Sequence, residues 1–178
     1  MPRLVPPVVP AGQMRETEQP TFRKVPDLTL RPWDEQDVRA LLRAFSDSQV
    51  RHWHMRELAS EGEATEWIAS WTARWDAETD ASWVVTDPAS DDVLGQVALR
   101  SVSLEFGAGQ ITYWVLPEAR NHGVATRAAS ELARWAFQDL GLHRLDDPSR
   151  DGKRGVLPCS DEGWIRARRH PTECTPTR

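Results

Sequence analysis

Val115-Leu116-Pro117-Glu118-Ala119-Arg120-Asn121-His122-Gly123-Val124-Ala125-Thr126 decides how this chain folds. A β-rich run over 109–116 stops at Pro117, and a helix-forming run follows over 126–140. The junction Arg-x-x-Gly-x-Ala puts unpaired backbone N–H groups, a glycine and the positive end of a helix dipole at one point, and such a point binds phosphate. Gly123 lets the backbone approach an anion closely and takes φ > 0 without steric cost. Ala125 keeps the helix start open, and Arg120 and His122 add positive charge. The Gly-Lys-Ser/Thr of a nucleotide P-loop and the three glycines of a dinucleotide fingerprint are both missing, which sets aside a nucleotide-binding regulator. On these residues alone, an ordinary strand-to-helix turn remains open as the alternative.

Outward from the turn, residues 28–33 alternate and read as a strand. Asp34 caps a helix expected through about Phe45, with Val38, Leu41, Leu42 and Phe45 on one face. His52-Trp53-His54 falls in the expected loop that follows. His-x-His suits a metal, but no Cys, Asp or Glu cluster accompanies it, so no metal is expected. Ser60, with Glu63 three residues on, forms a capping box for a helix to about Glu78. Trp67, Trp71 and Trp75 share a stripe of that helix at i, i+4 and i+8, which predicts core packing, with contact to a bound acceptor as the alternative. Residues 82–86 read as a strand, Asp87-Pro88-Ala89-Ser90-Asp91 as a turn, 93–103 as a long strand and 109–116 as its partner. The helix over 124–140 turns Ala125, Ala128, Ala129, Leu132, Trp135, Ala136 and Leu140 inward and ends at Gly141. A new strand begins at Leu142-His143-Arg144-Leu145. A strand–helix–strand crossover predicts parallel pairing of the strands on either side of that helix. The expected fold class is α/β, a mixed, mostly antiparallel sheet flanked by helices.

One domain is expected from 178 residues. The chain has no run of 18 apolar residues for a transmembrane helix and no basic, then apolar, secretion signal at its start. Its two cysteines make no disulfide framework, so a cytoplasmic location is expected. A net charge of −5 argues against nucleic acid as a partner and suits a basic acceptor. Six of the thirteen prolines fall in residues 1–26, which predicts a disordered, polyproline-like leader.

The run from Ile111-Thr112-Tyr113-Trp114 through the turn to Thr126 resembles the acyl-CoA-binding segment of GNAT-type N-acetyltransferases. It is most similar to the RimJ/RimL branch, which acetylates ribosomal-protein N-termini. Leu28-Thr29-Leu30-Arg31-Pro32-Trp33 with Asp34-Glu35-Gln36-Asp37-Val38 resembles the first strand and helix of that branch. Asp92-Val93-Leu94-Gly95-Gln96-Val97-Ala98-Leu99 resembles its "I-G-x-x-x-L" strand. The likeness covers about residues 28–145 in order and implies a disordered leader (1–26), an acetyltransferase domain (27–145) and an aberrant tail (146–178).

The resemblance implies acetyl transfer from acetyl-CoA to a primary amine, either a protein N-terminus or a small amine. The pyrophosphate is then held by backbone N–H groups of about Asn121, His122, Gly123, Val124, Ala125 and Thr126, with Arg120 alongside. The thioester carbonyl needs a fixed donor as negative charge develops on its oxygen. In the family that donor is a backbone N–H that maps to the Trp114–Val115 region. An alkylamine has a pKa near ~10, so a base or water chain must take its proton. Glu105, Tyr113 and His54 are the side-chain candidates, with structural or solvent-facing roles as the alternative. Trp53 and Trp71 are the acceptor-pocket candidates.

After Leu145 the periodicity stops. Family members continue the strand and then carry Asn-x-x-Ser-x-x-Val-Ala-x-Lys-x-Gly-Phe on a helix, followed by closing strands. The genetic code accounts for the difference. With each codon of Lys153 to Arg166 read one nucleotide late, the chain can spell Asn-Ala-Ala-Ser-Cys-Arg-Val-Ala-Thr-Lys-Ala-Gly-Phe. One step is forced: Trp164-Ile165 (TGG, then AT) must read GGA, glycine. A frameshift near residues 146–152 is therefore expected, with the closing strands missing or aberrant. The chain as written is then either an active enzyme or an inactive product that at most binds CoA.

Overall fold

A computed structural model describes residues 6–54, 57–147 and 155–156. The strands are β1 (Phe22–Val25), β2 (Leu28–Pro32), β3 (Ala81–Thr86), β4 (Val93–Ser103), β5 (Ala108–Val115), β6 (Arg144–Asp147) and β7 (Gly155–Val156). The helices are α1 (Val38–Ser46), α2 (Ser48–His54), α3 (Glu61–Asp76) and α4 (Val124–Gln138). The seven strands form one sheet in chain order. Every neighbouring pair is antiparallel except β5 and β6, the two strands joined by α4, which are parallel. The mixed sheet expected from the sequence is present. The tail beyond β7, on which the frameshift reading rests, lies outside the described residues.

The alternation of β4 assigns the two faces. Val97 and Leu99 enter one core with Ala128, Ala129, Leu132 and Ala136 of α4. Ala98 enters the other with Leu41 and Phe45 of α1 and Trp67, Ile68 and Trp71 of α3. The tryptophan stripe of α3 serves both cores. Residues four apart on an α-helix drift by about 40°. Trp67 and Trp71 therefore stay with α1, whereas Trp75 turns far enough to reach the α4 side.

Cap chemistry explains two departures from the expected helices. Asp34 does cap, accepting the Gln36 N–H at 3.1 Å, but the first turn is a 3-10 helix over Glu35–Asp37. The Asp37 carboxylate is drawn back onto the Asp34 N–H (2.9 Å) and the Arg31 guanidinium (2.8 Å), which tightens the turn before α1. The expected loop at 52–54 is instead the end of α2. Asp47 accepts the N–H groups of Gln49 (3.0 Å) and Val50 (3.1 Å), an N-cap that starts this extra helix.

The leader is where the structure departs furthest from the expectation of disorder. Val9 and Met14 are buried in the α4-side core, and Phe22–Val25 adds an edge strand to β2. The Val8 and Val9 N–H groups bond the Glu105 and Leu104 carbonyls at the β4–β5 hairpin. The indole N–H of Trp75 donates to the Thr17 carbonyl (3.0 Å) and that of Trp83 to the Pro20 carbonyl (2.7 Å). The anchor is Glu78, just past α3, whose buried carboxylate accepts the N–H groups of Gly12 (2.8 Å) and Met14 (2.8 Å). Proline removes donors and predicts extension, but it cannot report that a carboxylate 64 residues away waits for the neighbouring N–H groups.

Burial alone would raise the Glu78 carboxyl, but the N–H groups of Gly12, Met14 and Arg15 outweigh it and hold it below the ordinary carboxylate value. A carboxyl whose folded pKa is depressed contributes stability above its unfolded pKa of about 4.3 and loses it as the pH falls through the folded value. Glu78→Gln is expected to cost about 2 kcal/mol, because an amide replaces one acceptor oxygen with a donor facing N–H groups. Urea titration followed by tryptophan emission measures it. The wild type should lose its advantage over Glu78→Gln on acidification below the unfolded carboxyl range, and a constant difference across that range would contradict the assignment.

Candidate functional site

The end of β5 and the start of α4 are joined by a 3-10 turn, Pro117–Ala119, which Pro117 starts and the Arg120 N–H closes on the Pro117 carbonyl at 3.3 Å. Asn121 (φ 66°) and Gly123 (φ 71°) then take the left-handed conformation. Asparagine tolerates it and glycine adopts it freely. Gly123 is the N-cap of α4 and supplies no side-chain cap. The first intrahelical bond, Arg127 N–H to the Gly123 carbonyl (3.1 Å), leaves the N–H groups of Val124, Ala125 and Thr126 without an intrahelical acceptor. Asn121, His122 and Gly123 are exposed, and a Cβ built on Gly123 would meet nothing within 4 Å. The turn therefore presents three N–H groups and the positive end of a four-turn helix to open space. That arrangement fits a phosphate-bearing ligand.

Beside it, the pairing of β5 with β6 among the described residues covers only the first part of the strand. Its parallel register with β6 runs Ala108↔Arg144, Gly109↔Leu145 and Gln110↔Asp146. Beyond that pair the two strands share no register pair among the described residues. The antiparallel ladder with β4 continues to Gly95↔Val115. The Leu116 N–H donates to the Leu94 carbonyl (2.9 Å), so strand alternation aims the Trp114 N–H at β4 and the Tyr113 and Val115 N–H groups toward the β6 side. This corrects the sequence assignment at Trp114. The Trp114 side chain is also committed elsewhere: its indole N–H donates to Gln96 Oε1, Gln96 Nε2 donates to Ser82 Oγ (2.7 Å), and the Trp33 indole donates to the same hydroxyl (3.0 Å). This buried chain holds the even-numbered face of β5 to β4 and β3. Gly95 matters for the same reason. A Cβ there would clash with the Trp114 carbonyl and lie 3.1 Å from the Val115 Cα, so the close approach of β4 and β5 at this pair requires glycine.

Arg120 is not directed at the turn. Its Nε donates to the Val115 carbonyl (3.0 Å) and its Nη2 to Asp47 Oδ1 (2.9 Å). The nearer cation is Arg127, whose Nη2 donates to the His122 carbonyl (3.2 Å). The sequence reading missed Arg127; its position one turn into a helix that starts at an anion-binding turn was the available signal.

The candidate bases divide. Glu105 is exposed on the β4–β5 hairpin, at the opposite end of β5 from the turn. At about 3.4 Å per residue it lies roughly 24 Å away along the strand. That places it at the far end of the strand from the turn. Tyr113 is on β5, half-buried against the α4-side core. Trp53 and His54 lie at the end of α2, and their side chains are outside the described residues. Trp71 is 4% exposed, with the guanidinium groups of Arg74 (4.8 Å) and Arg100 (5.3 Å) over its ring, so packing and not solvent access defines its surroundings. Among the described residues no group of three or more His, Cys, Asp or Glu side chains is placed to hold a metal ion, and no helix is long and apolar enough to cross a membrane.

The strand–turn–helix geometry, the crossover and the half-paired strand together define an acyl-CoA-dependent transferase fold. The sequence profile described as "Acetyltransferase (GNAT) domain" matches residues 27–146, and the chain belongs to this family of acetyl-CoA-dependent N-acetyltransferases. A curated relative, the "Uncharacterized N-acetyltransferase YoaA" of Bacillus subtilis, is 24% identical over 119 residues, 66% of this chain and 67% of that protein. The structure is similar to spermidine N-acetyltransferase from Vibrio cholerae in complex with CoA and spermine (TM-score 0.59, 20% identity, 68% of this chain and 70% of that one). It is also similar to ribosomal-protein-S5-alanine acetyltransferase from Vibrio fischeri (TM-score 0.60, 17% identity, 75% of this chain and 78% of that one).

Proposed function

We propose that the chain transfers the acetyl group of acetyl-CoA to a primary amine, with a protein N-terminus of the RimJ/RimL kind or a small polyamine-like amine as acceptor. The observation that carries this reading is the uncapped start of α4 beside the half-paired edge of β5. The first three N–H groups of α4 have no intrahelical acceptor, and β5 runs on past its last register pair with β6 among the described residues. The Val124, Ala125 and Thr126 N–H groups hold the pyrophosphate, with Arg127 adding positive charge and His122 beside it. The pantetheine arm lies along the open edge of β5. There the N–H of Val115 donates to the thioester oxygen as charge develops on it. The amine nitrogen attacks the carbonyl carbon, the C–S bond breaks, and the proton lost by the nitrogen ends on the CoA sulfur. A side-chain base, with Tyr113 and His54 as the candidates, or a water chain carries that proton. The net charge of −5 suits a cationic acceptor.

Titration of purified chain with acetyl-CoA in a calorimeter tests the reading. Saturable one-to-one binding that CoA competes for is expected, and incubation with spermidine or an alanine-initiated peptide should release free thiol. A folded chain that takes up no acetyl-CoA would overturn the proposal. Binding without thiol release from either acceptor would leave a CoA-binding module, the outcome that the altered tail favours.

A further inference from the structure

We propose that Asp47 and Arg120 form a clamp that positions the cofactor turn, so that Arg120 serves acetyl-CoA binding through its hold on Asp47 and Val115 and not through contact with phosphate. This inference rests on the acetyl-CoA reading given above. A cation in the first half of an anion-binding turn is expected to face the anion, yet Arg120 turns back. Its guanidinium is divided between the Val115 carbonyl (3.0 Å) and Asp47 Oδ1 (2.9 Å). That oxygen is itself fixed, because it also accepts the Gln49 and Val50 N–H groups at the start of α2. The Asp47 N–H donates to the Ala44 carbonyl at the end of α1 (3.1 Å). Asp47 is thus anchored to both helices and Arg120 is anchored to Asp47. The side chains are 18% and 30% exposed, so solvent screens the pair far less than a surface ion pair. Burial would raise the Asp47 carboxyl, but the Val50 N–H and the Arg120 guanidinium hold it below its ordinary value.

The clamp closes the loop from Val115 to Arg120 into a ring of fixed geometry. Asn121 and Gly123 follow directly in left-handed conformations, with no side-chain cap to hold the helix start. What aims the three free N–H groups is therefore the position of Arg120. The clamp also ties the open edge of β5 to the α1–α2 corner, 73 residues away in sequence.

Charge alone and the clamp make opposite predictions. Asp47→Asn removes a negative charge near a polyanionic ligand and frees Arg120. If Arg120 is a phosphate ligand held in reserve, acetyl-CoA binds more tightly. If the pair is a clamp, binding weakens. Calorimetry on Asp47→Asn, on Arg120→Lys and on the double variant is expected to give about tenfold weaker acetyl-CoA binding for each, with the double variant no worse than either single one. Hydrogen exchange on the ligand-free chain supplies the second readout. The hydrogen-bonded amides of Ala119, Arg120 and Arg127 should exchange about tenfold faster in both single variants, while the amides of the α4 interior stay unchanged. Tighter or unchanged binding by Asp47→Asn, or exchange that rises uniformly through α4, would overturn the clamp. If the wild type itself takes up no acetyl-CoA, the functional reading fails, and the exchange pattern alone decides the clamp.

Discussion

Gly123→Glu is expected to weaken acetyl-CoA binding by about 100-fold or more, close to 2.7 kcal/mol, in a chain that still folds. Two separate effects meet at this residue. Its φ of 71° strains any side chain with a Cβ, at roughly 1–2 kcal/mol, and that cost falls on stability. The space beside it is empty of protein within 4 Å, so no clash adds to it. The carboxylate would stand in the same open space at the positive end of α4, where it would take the N–H groups of Val124 to Thr126 for itself and repel a pyrophosphate. Gly123→Ala separates the effects. It carries the same backbone strain without the charge, so both variants should lose similar stability in urea, while the glutamate variant loses far more affinity. Equal acetyl-CoA affinity for the two variants would show that the turn does not hold the phosphates.

The second large effect concerns the tail. A chain in which the codons from Lys153 to Arg166 are read one nucleotide later, with the compensating shift placed between residues 146 and 152, is expected to melt about 5 °C higher or more and to release thiol from acetyl-CoA roughly tenfold faster or more. The physical reason lies at the open edge. Beyond Gln110↔Asp146, β5 has no register pair with β6 among the described residues, and β7 is a two-residue strand. The shifted reading restores the helix motif that the family places after β6, and such a helix would cover apolar surface and a sheet edge. The nucleotide sequence of the gene is the first check, since Trp164-Ile165 forces a glycine in the shifted frame. Codons that do not spell the rest of the motif there, or a re-framed chain no more stable than this one, would rule the idea out.

The features legible before the fold was known are those governed by local physics. The left-handed glycine at 123, the strand-to-helix junction, the Ser60 cap and the long strand over 93–103 each depend on contacts within a few residues. The parallel pairing of β5 and β6 was also legible, because a crossover helix leaves one handed solution. The tryptophan stripe was read correctly as core, but not that it divides between two cores, which depends on how α3 lies across the sheet. Sequence order placed Glu105 near the decisive segment, yet the extended geometry of β5 carries it to the far end.

By itself the sequence determined the order of elements from β2 to β6 apart from α2, the class of fold and the place of the anion-binding turn, since cap chemistry, periodicity and backbone conformational preference act over one or two turns of chain. Only the tertiary structure decided which N–H groups face the open edge, because a register pair must exist before alternation can assign a side. It alone decided that Arg120 turns to Asp47, and that a proline-rich leader is held by Glu78. Those partners lie more than 60 residues apart, and a buried charge takes whichever donors the fold brings within 3 Å of it.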